Sequence, residues 1–100
     1  MNSNNARYTD RMKAREANIG DIVAEVADEV DTVLLFAPDC LTDEDREGIR
    51  DEVIAYTRFV TEALTAVEIE NPGARRAHVL GAIRSAEHLI NVRLARQAHA

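Results

Sequence analysis

Between Thr42 and Asn71, apolar residues stand at Ile49, Val53, Tyr56, Val60, Ala63 and Val67, spaced four, three, four, three and four apart. That is the a/d rhythm of a helix that packs on other helices. The stretch opens on Thr42-Asp43-Glu44-Asp45, where Thr42 is placed to cap a helix and the three acids complement its dipole. It closes on Asn71-Pro72-Gly73, where Asn71 caps a further helix and Pro72 takes its first position. The spacing predicts one uninterrupted helix over 43–70. A second apolar strip, Ala55, Phe59 and Ala66, predicts that this helix is covered on two sides.

The flanking segments carry the same period. Met12, Ile19, Val26 and Val33 lie seven apart, Val23, Val30 and Ala37 fill the other seam position, and Tyr8, Ile22 and Leu34 widen the stripe. Gly20 could break this run into a helix over 7–17, a kink and a helix over 21–37, but the register passes through it without a slip, which favours one helix over 7–37, ended by Pro38. The polar residues 1–6 are expected to be disordered. Downstream, Val79, Leu80, Ile83, Ala86, Ile90 and Leu94, with Ala82 and Leu89 at the edge, predict a helix over 72–97. Two prolines and four glycines leave room for few turns. The expectation is an all-α fold, an up-down-up antiparallel three-helix bundle forming one domain over 7–98. It would be roughly 40 Å long at about 1.5 Å per residue. So thin a rod is expected to gain burial by assembling as a dimer.

Only four residues are aromatic and none is Trp, so the core must be aliphatic. Cys40 is the sole cysteine and cannot form a disulfide within the chain. It could tuck under Phe36 or bridge two chains. No basic start followed by an apolar run marks a signal peptide. The longest strongly apolar run, Val33 to Ala37, falls far short of the ~20 residues of a spanning helix. A cytoplasmic location is expected, with no membrane partner. Arginine outnumbers lysine eleven to one. That bias points, by association, to a GC-rich source such as an actinobacterium or one of its phages.

Charge is segregated. Residues 1–20 carry four bases and two acids, residues 21–70 three bases and fifteen acids, and residues 71–100 five bases and one acid. The basic ends neutralise the acidic middle within a bundle, or the acidic surface meets a basic partner. Arg7, Arg11, Lys13 and Arg15 form a basic helical turn or two, suited to phosphate or an acidic protein. The arginines of the third segment, Arg75, Arg76, Arg84, Arg93 and Arg96, scatter around the helix, so nucleic-acid binding is not expected.

Chemistry-bearing residues are sparse, and no catalytic, cofactor-binding or metal residue is assigned. Glu87 falls inside the third stripe and, by register, level with Tyr56, which predicts a core polar contact between Tyr56 and Glu87. His78, His88 and His99 share no face, and no Glu-x-x-His pair is present. Asp21, Glu25, Asp28 and Glu29 line one helix face and are read as solvated acids. The run Val33-Leu34-Leu35-Phe36 is apolar in every direction, beyond what one buried stripe needs. Val33, Leu35 and Phe36, with Phe59, are therefore the expected partner interface. The leading expectation is a non-enzymatic helical interaction or oligomerisation module, binding itself or another protein. A second is a small phage or mobile-element regulator (inhibitor, DNA mimic or antitoxin) that meets a basic protein through its acidic surface. A third is a small helical enzyme with Glu87 in a polar pocket.

Overall fold

The computed structural model describes residues 3–99, with the backbone alone for residues 3–6, Tyr8 and Ala66. Met1 and Asn2 of the expected disordered start, and the side chain of Tyr8, therefore lie outside the described residues. The fold is all-α, with four helices among the described residues: α1 Ser3–Leu35, α2 Asp43–Glu62, α3 Ala66–Glu70 and α4 Pro72–Ala98. The first helix begins by Ser3, earlier than position 7, and runs unbroken through Gly20. The molecule measures 63 × 24 × 19 Å, longer than the ~40 Å expected from the helix lengths at 1.5 Å per residue. The difference comes from α1, whose described side chains from Arg7 to Ala14 are all exposed, the first buried one being Ile19.

α1 and α4 each pack on the other three helices. The buried stripe of α1, Ile19, Ile22, Val23, Val26, Val30 and Leu34, follows the predicted seam. Against it lie Ile49 and Val53 of α2, Ile69 of α3, and Val79, Ala82, Ala86 and Ile90 of α4, with Leu41 from the first turn. The core is wholly aliphatic. Arg50 meets Asp31, and the Arg15 guanidinium donates to the Glu62 carbonyl, so α2 runs antiparallel to α1. At the far end Arg93 and Gln97 of α4 both donate to Asp45 at the start of α2.

The predicted middle helix is corrected in two ways. First, it breaks. Thr65 accepts from the Glu68 backbone N–H, and the Glu68 carboxylate accepts from the Thr65 N–H at 2.8 Å, a reciprocal capping box that starts a new helix. Thr65 is extended (φ −71°, ψ 163°), so α3 is re-aimed: Ile69 turns inward and Val67, assigned to the seam, is 77% exposed. Second, the buried line of α2 is Ile49, Val53, Thr57 and Thr61, four apart throughout. Tyr56 is 65% exposed, and Ala55 and Phe59 are exposed, so although α2 packs on both α1 and α4, the strip predicted to be its second covered side is bare at Ala55 and Phe59. The threonines can be buried because each hydroxyl donates to its own helix, Thr57 to the Val53 carbonyl and Thr61 to the Thr57 carbonyl, both at 2.8 Å. A Tyr hydroxyl cannot reach back in this way, so its ring stays at the margin.

Two stability measurements follow. Thr65→Ala removes the hydroxyl of the capping box and should cost about 1 kcal/mol in urea unfolding. A Cβ at Gly20 would meet nothing within 4 Å, so Gly20→Ala should stabilise the fold by about 1 kcal/mol.

Candidate partner-binding surface

The turn from α1 to α2 is held by one side chain. The Arg46 guanidinium donates to the carbonyls of Leu34 and Pro38, the latter at 2.9 Å, while its Nε donates to the Leu41 carbonyl at 3.3 Å. These carbonyls lie at the end of α1 and in the turn, where no helical N–H serves Leu34 and Pro38 in the ordinary way. The pinned turn drives Leu41 into the core, at 2% exposed. Because Leu41 goes inward, it does not fold back over its neighbours. Leu35 is 76% and Phe36 81% exposed, and Cys40 is exposed rather than tucked beneath Phe36.

Leu35 borders a groove of about 630 Å³ between the ends of α1 and α2, with Leu34 and Leu41 as its floor and Asp31, Asp39, Asp43 and Glu47 around it. Two arginines enter it. Arg46 is spent on the carbonyls of the turn. Arg50 pairs with Asp31 at 2.7 Å, and this hydrogen bond, with the charge of Asp31, holds the guanidinium pKa above its ordinary value. Asp39, Asp43 and Glu47 thus leave the groove acidic beside a bare apolar ridge.

Of the residues expected to form the interface, Leu35 and Phe36 stand together. Val33 is half-buried against the core and contributes to the fold instead. Phe59 is exposed but lies sixteen residues into α2, about 24 Å along the helix at 1.5 Å per residue, and is not part of the groove. Neither the tertiary role of Arg46 nor the inward turn of Leu41 has a sequence signal beyond position.

The predicted Tyr56–Glu87 contact is absent from the hydrogen bonds of the described residues, and both side chains are exposed. α4 presents Ala82, Ala86 and Ile90 to the core, so Glu87, one position past fully buried Ala86, faces solvent. Alanines hold that face because they permit close helix approach, while Leu80 stays 45% exposed. Tyr56 lines two adjoining grooves between α2 and α4, of about 490 and 380 Å³. Its polar neighbours there include Arg84, Ser85, His78 and His88, not Glu87. Among the described residues no three His, Cys, Asp or Glu side chains are grouped to hold a metal ion, and every buried side-chain polar atom has a partner. No helix among them is long and apolar enough to cross a membrane.

Removing the pin should be costly. Arg46→Met keeps the aliphatic stem but leaves the Leu34 and Pro38 carbonyls with only the turn N–H groups of Ala37 and Leu41, and should lower unfolding free energy by about 1 kcal/mol in a urea titration. Comparison with known families, with curated proteins and with solved structures finds no match to this chain.

Proposed function

We propose that the protein is a non-enzymatic interaction module whose contact surface is the end where α1 meets α2. The observation that carries this reading is the consecutive pair Leu35 and Phe36, exposed at 76% and 81%, of which Leu35 borders an acid-lined groove. Single exposed apolar residues are ordinary, but two adjacent large ones at a rigid, pinned turn form a contact ridge. The partner chemistry that fits is a basic amphipathic segment: apolar side chains on the ridge, cations toward Asp39, Asp43 and Glu47. This joins the interaction-module expectation to that of an acidic surface meeting a basic protein. The surface is carried on an up-down-up array of α1, α2 and α4, with α3 as a short re-entry between the last two. Glu87 lines neither of the two grooves that Tyr56 borders.

The reading is tested with a synthetic cationic amphipathic helix of Leu and Lys, titrated into the full chain by calorimetry. Binding should weaken as salt is raised through the range where the Debye length falls below ~10 Å. The double variant Leu35→Ser/Phe36→Ser should bind about tenfold or more weakly, since two apolar contacts are lost, with its circular dichroism unchanged. Phe59→Ser should bind as the parent does. Equal binding by all three chains would remove the Leu35–Phe36 surface from consideration.

A further inference from the structure

α1 carries its charge against its own dipole. Helices favour acids at the N-terminus and bases at the C-terminus. α2 has Asp43, Glu44 and Asp45 in its first turn but no base in its last, and α4 has Arg96 in its last turn but no acid in its first. α1 has no acid in its first turn and no base in its last. Its first half carries Arg7, Arg11, Lys13 and Arg15 against Asp10 and Glu16, and its second half carries Asp21, Glu25, Asp28, Glu29 and Asp31 with no base. The charged blocks lie inward of the terminal turns, where the dipole acts only weakly, and the layout leaves a basic half and an acidic half whose compensation comes from solvent or from other segments.

Part of that compensation is internal. Arg50 serves Asp31, and Glu25 and Glu29 share a groove with Arg75 and Arg76. The outer face of α1 is different. Arg7 and Lys13 at one end, and Asp21 and Asp28 toward the other, are exposed, and the salt bridges among the described residues are Arg50–Asp31 and Arg93–Asp45. The basic end projects past the core, while the acidic end runs into the Leu35–Phe36 ridge.

We propose that the occupant of this ridge is a second copy of the chain, laid antiparallel along the outer face of α1. This rests on the reading of the acidic, apolar end as a contact surface and names its partner. In that arrangement Arg7 and Lys13 of each copy meet Asp28, Asp39 and Glu47 of the other. The aliphatic stems of the same cations lie over Leu35 and Phe36. The contact is made twice, as an isologous two-fold interface requires. A parallel copy would set like charge against like. An unrelated basic helix would satisfy the acidic end and leave Arg7 and Lys13 as they are. Between the two ends the outer face carries Ala17, Gly20 and Ala24 with Asp21 among them, all exposed, so small residues make up most of the stretch where the two α1 helices cross.

The test is sedimentation of the full chain over a concentration series. The parent should form a reversible dimer that weakens with salt. Arg7→Glu/Lys13→Glu should weaken it by about tenfold or more, and so should Asp39→Lys/Glu47→Lys, because each places like charges in contact. An equimolar mixture of the two variants should recover parent-like dimers, since each reversed end then meets its complement. That recovery cannot come from a variant that has failed to fold. A parent that stays monomeric at millimolar concentration while still binding the Leu/Lys helix would overturn the second-copy proposal and leave the surface intact. Loss of both activities would remove the surface as well. A dimer indifferent to both reversals, or open-ended growth with concentration, would overturn the antiparallel arrangement.

Discussion

Everything in this fold leans on the aliphatic stripe of α1. Ile19, Ile22, Val23, Val26, Val30 and Leu34 are the surface against which the other three helices pack. The opposing faces are small: Val79, Ala82 and Ala86 on α4, Ile49 and Val53 on α2. Small side chains let helix axes approach and dispersion contacts accumulate, but each buries little area. Stability is therefore gathered along a long, narrow seam rather than in a central knot, which is why the molecule is a rod. It also explains why local devices matter here. A pinned turn at Arg46, a capping box at Thr65–Glu68 and the Asp45–Arg93 tie at the far end each hold a junction that the thin core would leave loose.

The buried threonines of α2 follow from the same constraint. Thr57 and Thr61 occupy positions where Val or Leu would be expected, yet leave no polar atom unpaired because their hydroxyls turn back on the helix. Their modest bulk suits the close approach of neighbours. No aromatic side chain among the described residues enters the seam, which Leu, Ile, Val, Ala and Thr fill. Tyr56, Phe59, Leu35 and Phe36 are all displaced to the surface. Of these, Leu35 and Phe36 are consecutive in the chain, and Leu35 borders a groove whose four carboxylates outnumber its two guanidiniums.

The two ends of the rod differ in charge as well as in shape. One is the projecting basic start of α1, the other an acidic groove capped by apolar side chains. A chain with complementary ends on one face is suited to pairing with itself in the opposite sense.

The helical class, the aliphatic core, the stripe of α1, its passage through Gly20, and the caps at Thr42 and Asn71 were all legible from periodicity and local chemistry. Each depends on contacts within a few residues along the chain or on a repeat that one helix sustains by itself. The exposure of Leu35 and Phe36 was also signalled, because a run apolar in every direction cannot be buried by one seam. What periodicity could not supply was rotation. Tyr56 and Thr57 are adjacent, and which one enters the core depends on the helix opposite. The same holds for Ala86 and Glu87, and the predicted Tyr56–Glu87 contact failed on both. The Thr65-x-x-Glu68 signature was present in the sequence but lay inside an apolar rhythm that read through it. Only tertiary packing, by drawing Ile69 to α1 and α4, made the break the lower-energy choice.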